Sequence, residues 1–271
     1  MTSVSSFPVE DCGQRLSVVA GGASAQGCCR EQNQDCYVID PDGYFAVVAD
    51  GIGGTIGGEV ASRIACDILF DEFISVVERE GNVPEREYFS AADRYKRISE
   101  SVLAAFRNAD GAILATGRRY WSLKGMGTTA VSVLMIGEHV YVSNIGDSCA
   151  YLIRDGSVLK LTREHTVTAG LIRAGLLSVD QAAVHPYRNS LYKYLGAWSD
   201  DDPADVESIH IQHGDILALM TDGVSQYVDE SRIAEALGDA DHPEQAAGQL
   251  VELAVEEGSE DDATCVVIFL S

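Results

Sequence analysis

The sequence predicts an α+β fold, in which antiparallel strands form the core and long amphipathic helices cover it. Four short strand-like runs follow one another between residues 130 and 161, separated by glycine-containing turns, which is typical of an antiparallel meander. Two segments, 59–80 and 92–116, carry apolar residues at helical spacing and predict an antiparallel helix pair lying on a sheet. The chain of 271 residues is 46% hydrophobic, which is enough for a sizeable core.

The N-terminal part of the chain is expected to contain three strands. Residues 1–14 are polar and predict a frayed start, and residues 16–20 form a short apolar run of strand type. Residues 36–40 and 44–49 predict a hairpin around the turn Pro41-Asp42-Gly43. Because the two hairpin strands have matched lengths, the residues just before the first strand should lie beside those just after the second.

This hairpin should bring two carboxylates together. Asp35 precedes its first strand and Asp50 follows its second, so we expect the two at the same end of the sheet. Arg30 falls near that end as well. An arginine beside carboxylates usually forms a salt bridge, but its rigid fork also suits a phosphate group.

The second half of the chain continues to alternate strands with helices. Residues 206–211, 216–220 and 263–270 predict strands, and residues 243–257 predict a helix. Residues 166–195, which we call the flap, have only loose periodicity. A long and partly irregular insertion between strands is often functional.

One apolar strand pattern, residues 45–49, ends abruptly in Asp50 and is followed by a loop with three glycines. A carboxylate at the end of a buried strand is costly unless a positive charge meets it. Gly51 allows a sharp turn and lets a backbone carbonyl approach a ligand closely. Taken alone, the motif favours the simpler interpretation of a tight turn with a solvated aspartate.

Three later aspartates occupy similar positions at the ends of apolar runs. Asp147 and Asp222 each follow such a run, and Asp261 precedes the last one. Together with Asp50 they suggest one shared, oxygen-rich site. Hard divalent cations such as Mg²⁺ or Mn²⁺ prefer such ligands.

Charge and composition argue against several functions. The formal net charge of −23 repels phosphate backbones and disfavours nucleic-acid binding. No segment reaches the roughly 20 apolar residues of a membrane helix, and residues 1–10 lack the basic flank and apolar core of a signal peptide. The seven cysteines, an odd number without a Cys-x-x-Cys pair, fit reduced thiols. We therefore expect a cytoplasmic protein without membrane or nucleic-acid partners.

Seven short motifs occur in one order along nearly the whole chain, and this order resembles that of the metal-dependent protein phosphatases of type 2C, the PPM family. Each motif is weak alone, but seven in order are highly specific. The motifs are Arg30-x-x-Asn33-x-Asp35, Asp50-Gly51-x-Gly53-Gly54, Met126-Gly127-Thr128-Thr129, Asn144-x-Gly146-Asp147-Ser148, Leu161-Thr162-x-x-His165, Gly214-Asp215 leading to Thr221-Asp222-Gly223, and Asp261-Asp262-Ala263-Thr264. Since no linker or internal repeat interrupts them, we predict a single domain over residues 1–271.

The resemblance implies an αββα sandwich, with two antiparallel sheets packed face to face and helix pairs outside. It also implies hydrolysis of phosphoserine and phosphothreonine in proteins by a metal-bound hydroxide, without a covalent phosphoenzyme. Two cations about 3.5–4 Å apart would lower the pKa of a shared water. The implied partners are phosphorylated proteins, the targets of a serine/threonine kinase.

The resemblance assigns metal-binding roles to five positions. Asp50 would bridge two Mn²⁺ or Mg²⁺ ions, with the Gly51 carbonyl as a further ligand. Asp222 and Asp261 would complete this two-metal site. Asp147 matches a residue that binds a third, weaker ion in similar bacterial enzymes.

Two further positions match residues that act on water and on phosphate. Asp35 would hold a metal-bound water, and Arg30 would grip the substrate phosphate. Ile52 departs from the animal members of the family, which carry there a histidine proposed as general acid. This departure removes no metal ligand, but the loop that contains Ile52 offers no proton to the leaving group.

Two other functions stay open at this point. A non-catalytic phosphoprotein-binding regulator could keep the same fold and lose the metals, although Asp50, Asp222 and Asp261 are all present. A different two-metal hydrolase, such as a nuclease, could use the same carboxylates. The acidic composition and the absence of basic, aromatic-rich stretches argue against a nuclease.

Overall fold

The structure, a computed structural model, describes residues 4–6, 16–52, 57–81, 83, 90–197 and 204–271. Within these residues it contains strands and helices in the order expected for an α+β protein. The strands are β1 (Val4–Ser6), β2 (Ser17–Ala25), β3 (Asp35–Ile39), β4 (Phe45–Ile52), β5 (Gly127–Thr128), β6 (Ala130–Ile136), β7 (His139–Ile145), β8 (Cys149–Arg154), β9 (Ser157–Lys160), β10 (Asp205–His210), β11 (Ile216–Met220) and β12 (Ala263–Leu270). The helices are α1 (Gly58–Glu80), α2 (Ala91–Arg119), α3 (Val167–Arg173), α4 (Val179–Ala183), α5 (Asp222–Ser225), α6 (Glu230–Gly238) and α7 (Pro243–Glu256).

The strands form two antiparallel sheets. The first has the order β1-β2-β12-β11-β8-β9, and the second has the order β10-β7-β6-β4-β3, with β5 paired to the end of β4. The predicted meander between residues 130 and 161 is therefore divided: β6 and β7 belong to the second sheet, and β8 and β9 belong to the first. The chain crosses between the sheets at Gly146, whose φ of 96° is accessible to glycine at little cost.

Alternation along single strands divides the interior into three apolar layers. In β4, Phe45 and Val47 face the helix pair α1 and α2, whereas Val48 faces the other sheet. In β11, Leu219 lies between the sheets and Met220 packs beneath α6 and α7. Both faces of both sheets are thus covered. The αββα sandwich implied by the resemblance is confirmed.

The element boundaries differ from the sequence prediction in a few places. The strand predicted over residues 16–20 is β2, and it continues to Ala25 because it pairs along its length with β12. Helix α6 was not predicted, although Ile233 and Leu237 form its buried stripe at helical spacing. The predicted frayed start lies outside the described residues except for Val4–Ser6, which pair with β2. Within the described residues, none of the helices combines the length and the apolar composition of a membrane-spanning segment.

Candidate metal centre

The hairpin of β3 and β4 places two of the predicted site residues opposite each other. Asp35 and Asp50 are direct partners in the antiparallel register, as the matched strand lengths predicted. The Thr129 Oγ1 accepts a hydrogen bond of 3.1 Å from the Asp50 backbone N–H, and the Asp50 carbonyl accepts one of 2.9 Å from the Thr129 N–H. The backbone at Asp50 is therefore hydrogen-bonded to Thr129 in addition to its pairing with β3.

Gly51 is required by the close approach of α1. A Cβ atom at this position would lie 2.4 Å from the backbone of Gly58, a contact that no side chain can make without a backbone shift. The Gly51 N–H also donates a hydrogen bond of 3.2 Å to the Gln34 carbonyl. Gly53 and Gly54 of the same motif lie outside the described residues.

The first sheet contributes Asp222 from the end of β11. Asp222 is the first residue of α5, and its Oδ2 accepts a hydrogen bond of 2.9 Å from Gln226 Nε2. Its Oδ1 is buried without a hydrogen-bond partner among the described residues. The next residue, Gly223, lies so close to the neighbouring chain that an added Cβ would stand 2.0 Å from the Asp262 carbonyl oxygen.

Asp261 lies just before β12 and is paired with Arg30. The Arg30 Nε and Nη2 both donate to one oxygen of Asp261, at 2.8 and 2.5 Å. The same oxygen accepts a third hydrogen bond of 2.8 Å from the Asp262 N–H. A predicted metal ligand and the predicted phosphate-binding residue therefore contact each other directly.

Asp262 holds the loop that carries Arg30, a role that sequence reasoning missed. Its two carboxylate oxygens accept hydrogen bonds from the backbone N–H groups of Gly27, at 2.9 Å, and Gln34, at 2.8 Å. Asp262 is only 3% exposed, and a buried carboxylate needs hydrogen-bond donors in place of water. The two backbone N–H groups supply them. The available signal was a second carboxylate directly before a buried strand.

Asp35 connects the two sheets. Its Oδ2 accepts a hydrogen bond of 3.0 Å from Thr221 Oγ1, which belongs to the end of β11. Its Oδ1 is buried and has no hydrogen-bond partner among the described residues. Burial, together with the nearby charges of Asp262 and Asp222, raises the pKa of Asp35 to about 7.

Electrostatics identify Asp50 as the centre of the group. Burial raises its pKa well above the usual range, and the charges of Asp35, Asp222, Asp147 and Asp261 raise it further. The pKa of Asp222 is likewise raised by burial. A cation bound between carboxylates that raise one another's pKa stabilises their anionic forms.

Asp147 occupies the crossover between the sheets. Burial raises its pKa to about 7, and the charge of Asp222 acts in the same direction. The preceding residue, Gly146, donates its N–H to His165 Nδ1 at 3.1 Å, and His165 Nε2 lies 3.3 Å from Asp205 Oδ2. His165, the residue directly before the flap, therefore positions the turn that contains Asp147.

These observations fit a hard divalent cation. The predicted ligands are carboxylate oxygens and one backbone carbonyl, which such a cation prefers. Two carboxylate oxygens are buried without partners among the described residues, and four carboxyl groups have raised pKa values. In the described part of the chain, no three His, Cys, Asp or Glu side chains already form a ready coordination group. One predicted ligand, Asp261, is instead paired with Arg30.

A cavity of about 270 Å³ joins this carboxylate group to the flap. Its lining includes the carboxylates of Asp147, Glu164 and Asp222, together with residues of α3 and α4. The flap is attached at its C-terminal end by two backbone hydrogen bonds between Thr128 and Leu195, of 3.0 and 2.9 Å. Residues of the flap thus line the same cavity as Asp147 and Asp222.

Comparison with known proteins identifies the family of this arrangement. A sequence model described as "Protein phosphatase 2C" matches residues 25–254. The serine/threonine protein phosphatase PstP of Mycobacterium tuberculosis is 30% identical over 244 residues, which are 90% of this chain and 43% of that protein. This chain therefore spans less than half the length of that relative. The serine/threonine phosphatase stp of Listeria innocua is 28% identical over 83% of both chains.

The fold agrees with a solved structure of the same class. The catalytic domain of PstP in complex with two manganese ions superposes with a TM-score of 0.75 at 26% sequence identity. The superposition covers 94% of this chain and 99% of that one. The family-model match over residues 25–254 includes Arg30, Asp35, Asp50, Asp147 and Asp222, and it ends before Asp261.

Proposed function

Because the chain belongs to the protein phosphatase 2C family, we propose that it is a metal-dependent protein phosphatase that hydrolyses phosphoserine and phosphothreonine. The observation that carries the proposal is the group of buried carboxyl groups around Asp50, whose raised pKa values call for bound cations. The single domain proposed over residues 1–271 contains every residue assigned below.

Five positions are proposed to hold the metals. Asp50, the Gly51 carbonyl, Asp222 and Asp261 would bind two Mn²⁺ or Mg²⁺ ions, and Asp147 would bind a third, weaker one. Two bound divalent cations would supply Lewis-acid activation of a water nucleophile. The two manganese ions in the related catalytic domain support this number.

Asp35 is proposed to orient the attacking water. Thr221 holds its Oδ2, and its Oδ1 is left as an acceptor without a partner among the described residues. A carboxylate fixed at one oxygen can accept a hydrogen bond at the other and direct a water lone pair toward phosphorus.

Arg30 is proposed to bind the phosphate of the substrate. Its Nε and Nη2 already act as a fork toward a single carboxylate oxygen. The same two donors suit two phosphate oxygens and offset the negative charge that they carry in the transition state. No covalent phosphoenzyme is needed, so none of these roles requires a cysteine nucleophile.

The proposed substrates are cytoplasmic proteins that a serine/threonine kinase has phosphorylated. The test is release of phosphate from a phosphothreonine peptide and from p-nitrophenyl phosphate, with and without Mn²⁺. We expect release only with the metal, and none by an Asp222→Asn variant. Peptide binding without metal-dependent release would instead indicate the non-catalytic phosphoprotein-binding regulator, and cleavage of DNA would indicate a nuclease.

A further inference from the structure

The cavity beneath the flap has a chemical character that the proposed reaction does not use. Its lining includes five aliphatic side chains of the flap, beside the polar flap residues Thr166, Thr168, Arg188 and Asn189. These five, which we call the aliphatic wall, are Ala169, Ile172, Val179, Ala182 and Ala183. At about 270 Å³ it lies just below the range of roughly 300–1,000 Å³ typical of small-molecule sites. Its size and lining suit one or two side chains of a bound peptide.

The flap also differs in charge from the rest of the molecule. The whole chain has 42 acidic and 19 basic residues, whereas the flap contains Arg173, Arg188 and Lys193 against a single acid, Asp180. Arg173 is hydrogen-bonded to the Glu164 carbonyl and Tyr192 Oη, and Lys193 is paired with Asp205.

Arg188 is the basic residue that borders the cavity. It is the only lysine or arginine among the described residues that line the cavity, and it is exposed. No described residue pairs with its guanidinium, since only its backbone forms hydrogen bonds. It is therefore available to an acidic group that enters beside the aliphatic wall.

The flap surface around the cavity is unusually apolar. Among the described residues, large hydrophobic side chains that are exposed gather in this segment. Those of the flap are Leu176, Val179, Val184, Tyr187 and Tyr192, with Val179 at 71% and Val184 at 80% exposure. Apolar groups rimmed by a basic residue are typical of a surface that binds another protein.

We propose that this cavity is a specificity subsite that binds an aliphatic residue of the protein substrate, with Arg188 pairing to an adjacent acidic residue. The inference rests on the proposed function, because Asp147 and Asp222 line the same cavity. A residue close in sequence to the phosphorylated one would then reach the aliphatic wall. Three acidic residues share this lining: Asp147 and Asp222, which the proposed cations would neutralise, and Glu164, whose Oε1 accepts a hydrogen bond of 2.6 Å from Lys160 Nζ. Arg188 is therefore the charged group of the lining that is open to an acidic residue of the substrate, and elsewhere on the surface the net charge of −23 disfavours acidic peptides.

The test compares three phosphothreonine peptides, and in each peptide one pair of flanking residues is repeated on both sides of the phosphothreonine. The pair is leucine and glutamate in the first peptide, alanine and glutamate in the second, and leucine and lysine in the third. For the wild-type protein we expect kcat/KM to be roughly tenfold higher with leucine than with alanine, because burial of the side chain favours binding. We expect it to be roughly threefold higher with glutamate than with lysine, as for a partly exposed ion pair.

Matched variants place the subsite on the structure. Val179→Asp adds a negative charge to the cavity wall at the first turn of α4, where an acidic residue is compatible with the helix. Val184→Asp makes the same change at the other end of α4, outside the cavity. We expect Val179→Asp and Arg188→Glu to lower or invert the glutamate-to-lysine ratio, and Val184→Asp to keep the wild-type ratio.

Two results would overturn the inference: equal kcat/KM for the three peptides with wild-type protein, or equal effects of the two valine variants. Failure of the proposed function has a different signature, which is no metal-dependent hydrolysis of any peptide or of p-nitrophenyl phosphate. In that case, fluorescence anisotropy with the same peptides and no added metal measures the binding order. An order of Kd values that does not depend on the flanking residues would then overturn the inference.

Discussion

Arg30 and Asp261 form a forked ion pair, in which two guanidinium nitrogens donate to one carboxylate oxygen at 2.8 and 2.5 Å. The two side chains are 37% and 38% exposed, so solvent screens this pair. In our assignment one partner binds a cation and the other binds phosphate. A cation at Asp261 therefore competes with Arg30, and the guanidinium that it releases becomes available to the substrate.

This relationship makes a prediction for Arg30→Ala. We expect kcat/KM for a phosphopeptide to fall by about 10–100-fold, the effect of losing hydrogen bonds to a charged group, through both a higher KM and a lower kcat. We expect Mn²⁺ affinity, measured by calorimetry, to be unchanged or a few-fold tighter, because Asp261 loses its competing partner. An unchanged kcat/KM would contradict the phosphate-binding role, and weaker Mn²⁺ binding would contradict the competition.

Asp50→Asn and Asp222→Asn should each nearly abolish hydrolysis, since loss of a negative ligand weakens binding of a hard cation. Both variants should fold, because the exchange removes repulsion among buried carboxylates. We expect their melting temperature without metal to equal or exceed that of the wild type. Asp67→Asn, on the exposed face of α1, is the control and should retain activity. Full activity of Asp50→Asn at saturating Mn²⁺ would rule out the metal assignment.

Asp147→Ala should produce a defect that depends on the leaving group. A serine alkoxide must be protonated as it departs, whereas p-nitrophenolate is stable as an anion. Ile52 lies in a strand, paired with Gly127, and has no proton to donate. We therefore expect kcat at saturating Mn²⁺ to fall much more on a phosphopeptide than on p-nitrophenyl phosphate. An equal fall on both substrates would instead assign Asp147 to metal loading or to activation of the nucleophile.

The raised pKa values predict how stability without metal depends on pH. Asp35 and Asp147 have pKa values of about 7 in the folded protein, against 3.8 for an ordinary aspartate. The folded state thus binds more protons than the unfolded state between about pH 4 and pH 7, and stability must fall as pH rises through this window. We expect the melting temperature to decrease from pH 5 to pH 7.5 without metal.

Mn²⁺ should reverse this trend, since it binds the deprotonated carboxylates of the folded state. The stabilisation by Mn²⁺ should therefore grow with pH over the same window. Differential scanning calorimetry at matched ionic strength measures both effects, and each kcal/mol corresponds to about 2–4 °C for a domain of this size. A melting temperature without metal that rises from pH 5 to pH 7.5 would contradict the electrostatic account of the site.

Gly223→Ala should damage both stability and metal binding. An added Cβ would lie 2.0 Å from the Asp262 carbonyl oxygen, so the chain segments that carry Asp222 and Asp261 would have to separate. Overpacking of this kind costs about 1–3 kcal/mol of unfolding free energy. Gly248→Ala, in α7 and without neighbours within 4 Å, is the matched control and should be neutral or stabilising. Equal urea-unfolding curves for the two variants would show that the close approach is not important.

Much of this molecule was predictable because the signals are local in the chain. Apolar periodicity predicted α1, α2 and most of the strands, and turn residues between matched strands predicted that Asp35 would oppose Asp50. The order of the short motifs indicated the family, since each motif depends on residues that are close in sequence. The positions of Asp147 and Asp222 at the ends of apolar runs were also predictable from residues close to them in the sequence.

Tertiary structure alone decided how these local pieces combine. The meander was divided between two sheets at Gly146, and this division carries Asp147 to the carboxylate group. The Arg30 pair with Asp261 spans 231 positions, and Asp262 holds the N-terminal loop from the other end of the chain. Such contacts depend on which surfaces pack together rather than on local periodicity. For the same physical reason, the raised pKa values and the aliphatic cavity beneath the flap arise from burial and long-range charge, which no single stretch of sequence contains.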